Sequence, residues 1–183
     1  RMRSQPLEAA RRQARRLGRG LRAARLPFDL DRLEGALLPP GIEELDWNSD
    51  EVADACIPAA NGYFTARSLA RMYAVLAAGG ERDGVKLVSR ETLDRFATVQ
   101  NRGLGLVVPF PMNWRLGYHR VPVPGREGPR PFGHFGFGGS GAWADPHRDL
   151  AVASVLNTGV GTPFGDTRIV RLGVTAARCA DRR

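Results

Sequence analysis

The chain has 183 residues, of which 43% are hydrophobic and 25% charged, with 22 glycines and 13 prolines. This length and composition fit one domain with its own core and exclude a disordered protein. No apolar run reaches the roughly 18 residues of a transmembrane helix, and the basic start lacks the apolar stretch of a secretory signal, so we expect a cytoplasmic protein. Cys56 and Cys179 lie far apart without a C-x-x-C motif, so we expect neither a zinc site nor a disulfide framework.

The net charge of +8 is concentrated at one end of the chain. Residues 1–26 contain nine Arg and one Glu, whereas residues 27–183 contain 18 basic and 18 acidic side chains. We therefore expect an Arg-rich segment over residues 1–36, partly helical and solvated over Leu7–Leu26, followed by a domain over residues 37–183. No aromatic RNA-binding pattern accompanies the arginines, so no nucleic-acid partner is expected. Lys86 is the only lysine available to a mechanism that needs one.

Helix signals dominate the middle of the chain, after a loop-rich connector over residues 27–61. Thr65 can cap a helix whose apolar side has the spacing i, i+3, i+4, i+7, and Gly79-Gly80 ends it. Ser89 can cap a short second helix, and Asp166 a final one. The apolar positions assigned to these three helices are Leu69, Met72, Tyr73 and Leu76; Leu93, Phe96 and Ala97; and Ile169, Val170, Leu172 and Val174.

Alternating patterns and short apolar runs predict strands after the second helix. Asp83-Gly84 predicts a turn between the first two helices, and Asp145–Arg148 a turn that joins the last two strands in a hairpin. Together these elements predict an α+β domain, in which helices flank an antiparallel sheet and the C-terminal helix packs on it. The predicted strands are Leu104–Val108, Met112–Arg120, Pro131–Phe137, Gly141–Asp145 and Asp149–Asn157.

The densest glycine cluster is the segment Phe132–Gly141, FGHFGFGGSG. Glycines let a ligand approach the backbone closely, but a glycine-rich bulge that bends the sheet explains them equally well. A nucleophile elbow at Ser140 is a weaker alternative. The sequence GGSGA nearly matches G-x-S-x-G, yet an elbow needs a helix after the serine, and a hairpin is predicted here.

Phosphate and metal chemistry are disfavoured. No Gly-Lys-Ser/Thr follows the glycines, which excludes a phosphate loop. His119, His134 and His147 match no metal-ligand spacing, so no metal or cofactor is expected. His119 and His147 are interpreted as surface histidines or as histidines with satisfied hydrogen bonds.

Two ordered series of motifs carry a family resemblance. The first contains TARSLARMY (Thr65–Tyr73), LAAGG (Leu76–Gly80) and DGVKLVS (Asp83–Ser89); the second contains FGHFGFGGSGAWADP (Phe132–Pro146) and LAVASVLN (Leu150–Asn157). Over roughly residues 56–175 the chain resembles the C-terminal half of the serine β-lactamase and penicillin-binding-protein-like superfamily. It is most similar to the class-C-type, esterase-like branch.

This resemblance implies an incomplete β-lactamase-like fold and a site built on an H-x-G motif, here His134-Phe135-Gly136. His134 then points at the carboxylate or carbonyl region of a substrate. The backbone N–H of Phe137 is one of two oxyanion-hole donors, a contribution of several kcal/mol when preorganised. Phe135 and Gly138 line the site, and Gly136 and Gly138 leave room for the acyl group.

The other two family motifs are absent from this sequence. An S-x-x-K ending at Lys86 requires a serine where Asp83 stands, and none of the tyrosines (Tyr63, Tyr73 and Tyr118) has asparagine two places on. No catalytic set is complete, and acyl transfer by the family route does not run without its nucleophile.

We therefore interpret the chain as the C-terminal portion of a serine hydrolase, truncated, split or degenerate, and inactive alone. The complete enzyme is expected to hydrolyse a small-molecule ester or amide through an acyl-enzyme. Histidine in place of lysine in the third motif favours esters over β-lactams. The alternative is a non-catalytic interaction module that self-associates or pairs with a separate N-terminal half, because the missing half leaves sheet and apolar surface exposed.

Overall fold

The computed structural model describes residues 40–58, 60, 62–105, 107, 111–123, 131–136, 138–157 and 167–182, with short pieces at 15–16, 18–20, 23–24 and 35–36. From residue 40 onward the described helices are α1 (Asp50–Asp54), α2 (Ala66–Ala77), α3 (Arg90–Ala97) and α4 (Thr167–Ala180), preceded by a 3-10 turn at Ile42–Glu44. The strands are β1 (Glu81–Arg82), β2 (Val85–Lys86), β3 (His119–Arg120), β4 (Phe132–Phe135), β5 (Gly141–Asp145) and β6 (Leu150–Ser154).

The predicted caps of the two central helices are confirmed. The Thr65 hydroxyl accepts a hydrogen bond from the Ser68 N–H at the start of α2, and the Ser68 hydroxyl accepts one from the Thr65 N–H, which forms a capping box. Ser89 caps α3 in the same way, accepting from the N–H of Thr92. The helix α2 ends before Gly79 and Gly80, both with positive φ angles, which an L side chain rarely adopts.

The turn predicted at Asp83-Gly84 connects β1 and β2. Both of its residues have positive φ angles, 51° and 77°, as the two central residues of a type I′ hairpin turn require. Lys86 lies exposed on β2. The connector predicted as loop-rich over residues 27–61 consists mostly of turns and loops in its described part, with one short helix, α1, that the Ser49 hydroxyl caps.

The main sheet has the antiparallel order β3-β4-β5-β6. Trp143 in the centre of β5 pairs with Gly133 of β4 on one side and Val152 of β6 on the other. The predicted turn at Asp145–Arg148 joins β5 and β6. This arrangement of helices around an antiparallel sheet confirms the predicted α+β class.

Two strand predictions are wrong, wholly or in part. The described residues of Leu104–Val108 (104, 105 and 107) are not in a strand. In Met112–Arg120, only the last two residues pair with β4. The chain reverses before them: Arg115 N–H donates to the Tyr118 carbonyl at 2.8 Å, and Gly117 has a φ of 80°. Alternation of side chains does not reveal such a reversal, because it continues through the turn.

Side-chain alternation divides the core between the two faces of the sheet. Phe132, Ala142 and Ala144 face α2 and α3, where they pack with buried residues of both helices. Trp143, which is fully buried, points to the opposite face and belongs to a second cluster that includes Ala177 of α4. The buried members of the two clusters are Tyr73, Leu76, Ala77, Leu93, Phe132, Ala142 and Ala144, and Val121, Val123, Trp143 and Ala177.

The closing helix α4 follows the prediction, but its buried side is shifted. Ile169 is buried as predicted, whereas Leu172 is 46% exposed. Gly173 is buried in its place, against Val123 and the indole of Trp143. The predicted cap Asp166 lies outside the described residues. None of the described helices combines the length and the apolar character that crossing a membrane requires.

Candidate active site

The H-x-G residues lie where β4 turns into β5. His134 and Phe135 end β4, and Gly136 begins the turn. The Gly136 N–H donates to the Ser140 carbonyl at 2.9 Å, and the Gly139 N–H donates to the Gly136 carbonyl at 3.0 Å. Gly138 and Gly139 have φ angles of 96° and 91°. The described part of the glycine cluster therefore contains the end-to-end pairing of β4 with β5, without a bulge, and the connection between the two strands. Phe137, the predicted oxyanion-hole donor, lies outside the described residues.

Two further glycines let β4 and β5 approach each other. A Cβ at Gly141 would overlap the carbonyl oxygen of His134 and contact the ring of Phe135. A Cβ at Gly133 would overlap the backbone of Ala142 and Trp143. Any side chain at these positions would push the H-x-G strand away from its neighbour. The glycines therefore hold the position of His134.

His134 is the penultimate residue of β4, and its side chain is exposed. Partial burial lowers the pKa of its imidazole. The ring of His119 lies next to it, with ring centroids 5.2 Å apart. A neutral imidazole in this position can donate one hydrogen bond to a substrate oxygen or nitrogen and accept one from a substrate N–H or O–H.

His119 is buried, only 3% exposed, and both of its ring nitrogens have partners. Nδ1 lies 2.9 Å from the carbonyl oxygen of Arg120, and Nε2 accepts the N–H of Phe135 at 3.1 Å. Its ring also packs against Trp114 and Phe135. The interpretation as a histidine with satisfied hydrogen bonds is confirmed, and the structure adds its contact with Phe135 of the H-x-G motif. No signal in the sequence reveals this contact, since 16 residues separate His119 from Phe135.

Burial is the main cause that lowers the pKa of His119; the hydrogen bond to the Arg120 carbonyl raises it, and the nearby His134 and Arg115 lower it further. Arg115 is itself buried: its Nε donates to the Ala97 carbonyl at 2.6 Å, while its Nη1 has no hydrogen-bond partner. Desolvation and the charges of Arg102 and Arg120 lower the pKa of this guanidinium. The surroundings of His119 thus carry positive charge and disfavour an imidazolium.

Ser140, the candidate elbow nucleophile, has a structural partner. Its hydroxyl oxygen accepts the N–H of Leu156 at 2.9 Å, which extends the pairing of β5 and β6 beyond Gly141. The chain continues from Ser140 directly into β5, whereas a nucleophile elbow requires a helix at that point.

The three histidines do not converge. His119 and His134 are neighbours, whereas His147 lies exposed on the turn between β5 and β6, where its N–H donates to Asp145. Within the part of the chain that the structure describes, no three His, Cys, Asp or Glu residues are grouped to hold a metal ion. Cys56 and Cys179 are exposed free thiols.

A separate concave surface lies between α2 and the start of β6. This groove has a volume of about 570 Å³, and the H-x-G residues are not among its lining residues. The groove is lined mainly by Arg67, Ala70, Arg71, Arg82, Asp149 and Ala151.

Comparison with known proteins relates this chain to a family of hydrolases and to one of its members. The profile of the Beta-lactamase family matches residues 4–177. The chain is 41% identical over 154 residues to the "Esterase/beta-lactamase LipL" of Mycobacterium tuberculosis, a match that covers 81% of this chain and 32% of LipL.

Two solved structures are similar. A novel penicillin-binding protein homologue from Caulobacter crescentus matches with a TM-score of 0.68 and 33% identity, over 81% of this chain and 40% of that chain. A family VIII carboxylesterase matches with a TM-score of 0.54 and 31% identity, over 61% of this chain and 30% of that chain.

The chain therefore belongs to the Beta-lactamase family, which confirms the resemblance drawn from its motifs. It spans about a third of the length of LipL and 40% or less of the two matched structures.

Proposed function

We propose that this chain contributes the H-x-G part of the active site of an ester-hydrolysing serine hydrolase. The observation that carries this proposal is the position of His134, which is exposed at the end of β4 beside a glycine-rich turn, in a chain of the Beta-lactamase family. The names of the relatives, an esterase/β-lactamase and a family VIII carboxylesterase, support hydrolysis of a small-molecule ester or amide.

Each residue of the motif has a distinct role in this proposal. His134, held neutral by its surroundings, hydrogen-bonds the carbonyl or carboxylate region of the substrate. The N–H of Phe137 donates to the oxyanion that forms when the carbonyl is attacked, an interaction worth several kcal/mol. Gly136 and Gly138 leave space beside the acyl group, and Phe135 lines the site.

On its own, without a partner that supplies the nucleophile, this chain is proposed not to hydrolyse esters. Acyl transfer needs a nucleophile with an adjacent base, and the sequence contains neither an S-x-x-K nor a Y-x-N motif. Ser140 does not replace them, because its hydroxyl oxygen is engaged by Leu156 and Ser140 leads into a strand.

Labelling with a fluorophosphonate, read by intact mass, tests the absence of a nucleophile. We expect no adduct and no hydrolysis of p-nitrophenyl acetate above the buffer rate. The matched control is Ser140→Ala, which removes the one serine of the glycine cluster. A stoichiometric adduct that disappears in Ser140→Ala would contradict the proposal and identify an elbow.

Co-expression with the part of LipL outside the matched region tests the contribution of the motif. We expect ester hydrolysis that neither part shows alone, reduced about 100-fold by His134→Ala, the size of effect seen when one preorganised hydrogen bond to the reacting group is lost. His147→Ala, on the exposed turn, is the control. Hydrolysis that His134→Ala leaves unchanged would contradict the role of the motif.

A second candidate function, a non-catalytic interaction module, is favoured by the free edge of the sheet. In the described part of the chain β6 pairs with β5 alone, so its outer edge can accept another strand. Val155, just beyond β6, is 45% exposed. Self-association or pairing with a separate N-terminal half would cover this edge. Sedimentation over a range of concentrations tests self-association, and a monomer throughout contradicts it.

We also propose that residues 1–36 form a segment distinct from a domain over residues 37–183. The charge asymmetry supports this division, although the family profile extends from residue 4. Limited proteolysis with trypsin is expected to remove the arginine-rich segment first and leave a fragment that begins near residue 37. Equal protection of both parts would contradict the division.

A further inference from the structure

The strand β3 separates from β4 just before the H-x-G motif. The two strands pair at His119 with Gly133 and at Arg120 with Phe132. Before His119 the chain turns on itself, and the Tyr118 carbonyl accepts the N–H of Arg115. At the position of Phe135, the backbone of β3 therefore offers no carbonyl to accept the N–H of β4.

The side chain of His119 replaces the missing backbone partner. Its Nε2 accepts the N–H of Phe135 at 3.1 Å, so that β4 keeps a hydrogen bond on this side up to the middle residue of the motif. A buried N–H without such an acceptor costs free energy, which makes the exchange favourable.

Both hydrogen bonds of His119 require one protonation state. An imidazole nitrogen that accepts an N–H must carry a lone pair, so Nε2 is unprotonated. The other nitrogen, Nδ1, faces the carbonyl oxygen of Arg120 at 2.9 Å and must donate. Only the neutral Nδ1–H tautomer satisfies both contacts, and an imidazolium would direct a second N–H at the N–H of Phe135.

We propose that His119, as the neutral Nδ1–H tautomer, is the positioning residue of the H-x-G strand. By holding the N–H of Phe135 it fixes the direction of the backbone on either side, and with it the placement of His134 and Gly136. The importance of this placement for hydrolysis rests on the proposed function. The hydrogen bond and the tautomer of His119 are independent of the proposed function.

The groups that face His119 favour this state. Arg115, from the segment before β3, and His134, from β4, both oppose a positive charge on its ring. The rings of Trp114 and Phe135 pack against it at centroid distances of 5.7 and 5.5 Å and exclude water. The hydrogen bond to the Arg120 carbonyl raises the pKa of His119, but burial lowers it more and the net shift is downward; no carboxylate is among the groups that shift its titration.

NMR of the uniformly ¹⁵N-labelled chain tests the tautomer directly. Long-range ¹H–¹⁵N correlation spectra are expected to show a protonated Nδ1 and an unprotonated Nε2 for His119 at pH 7. A protonated Nε2, or rapid exchange between tautomers, would overturn the proposal. This measurement needs no variant and no activity.

Amide exchange of Phe135 tests the positioning role. His119→Phe keeps a ring but removes the acceptor, and we expect the Phe135 N–H to exchange about tenfold faster. His119→Gln offers a carbonyl oxygen and is expected to restore part of the protection. His147→Phe, on the exposed turn, is the matched control and is expected to leave Phe135 unchanged. Unchanged protection in His119→Phe would overturn the proposal.

The co-expressed hydrolase separates this inference from the proposed function. In it, His119→Phe should lower kcat more than it alters KM, and His119→Gln should recover part of kcat. A failure of His134→Ala to reduce hydrolysis would refute the proposed function, while the tautomer and the protection of Phe135 would still decide the inference.

Discussion

Arg148, on the turn between β5 and β6, forms a two-point ion pair with Asp181, which follows the last residue of α4. Its Nε donates to Oδ1 at 2.9 Å and its Nη2 to Oδ2 at 3.0 Å, across 33 residues of sequence. The Nη1 of the same guanidinium donates to Asp145 at 2.6 Å. The side chains of Arg148 and Asp145 are 3% and 0% exposed. One arginine therefore connects the hairpin to the end of the closing helix.

Removal of this arginine should destabilise the protein strongly. Arg148→Ala leaves the buried carboxylate of Asp145 without its cation, and loss of one partner of a buried pair costs about 3–5 kcal/mol. Arg148→Lys keeps the charge but not the two-point geometry, so an intermediate loss is expected. Urea denaturation followed by circular dichroism measures the change in the free energy of unfolding.

The control for the Arg148→Ala variant removes an arginine from a salt bridge on the surface. Arg90 and Asp94 on α3 are both more than 60% exposed, and Arg90→Ala should cost less than about 0.5 kcal/mol. Equal losses in Arg148→Ala and Arg90→Ala would show that burial of the pair is unimportant.

Gly141 should not tolerate a side chain. Gly141→Ala places a Cβ against the carbonyl of His134 and the ring of Phe135, and we expect a loss of about 1–3 kcal/mol from strain. Gly136→Ala is the matched control in the same turn, because a Cβ there meets only the Ser140 carbonyl, at 3.7 Å. Thermal unfolding compares the two variants. Similar midpoints would contradict the close approach of β4 and β5 at Gly141.

Gly173 determines how closely α4 packs on the sheet. A Cβ at this position lies 3.2 Å from Cγ1 of Val123 and 3.3 Å from Nε1 of Trp143, so a larger side chain must displace the helix. Gly173→Leu is expected to cost about 1–3 kcal/mol and to shift tryptophan emission to the red as Trp143 becomes hydrated. Leu172→Ala, at the exposed neighbour, should leave the emission unchanged. Unchanged emission in Gly173→Leu would contradict this packing.

Acidification should destabilise the chain through His119. Burial lowers its pKa in the folded state below the ordinary value of about 6.5. Between these two pKa values the unfolded chain binds more protons, so the free energy of unfolding falls as the pH drops below about 6.5. Urea midpoints at pH 7.5 and pH 5.5 measure this loss. In His119→Phe the difference between the two midpoints should shrink, and a difference that stays the same would contradict the assignment to His119.

Caps and turns were predictable because each depends on a few neighbouring residues. Thr65, Ser89 and the Asp83-Gly84 turn form as expected, since the hydroxyl or the left-handed backbone conformation acts within three residues. The extents of the strands were less predictable. The segment Met112–Arg120 alternates throughout, yet it reverses at Gly117, and β3 keeps only its last two residues.

In the candidate site too, the features that depend on neighbouring residues were predictable, and the contacts between distant residues were not. The local sequence around His134 and Gly136 predicts the H-x-G motif, and the glycines around it predict a close approach of backbones, which Gly133 and Gly141 show. The partners of that strand lie elsewhere in the chain. Neither the hydrogen bond from Phe135 to His119 nor the one from Leu156 to Ser140 has a sequence signal, because each joins residues 16 positions apart.

The sequence by itself determined the class of fold and the family, and it supplied the proposal of an H-x-G motif at His134, because periodicity, caps and motifs are short-range properties. Only the tertiary structure decided which groups meet across the sheet. The pairing of Arg148 with Asp181, the burial of Gly173 instead of Leu172, and the contact of His119 with Phe135 all depend on how α4 and β3 pack against β4–β6. Such contacts follow from the balance of burial and hydrogen bonding over the whole domain, which no local pattern encodes.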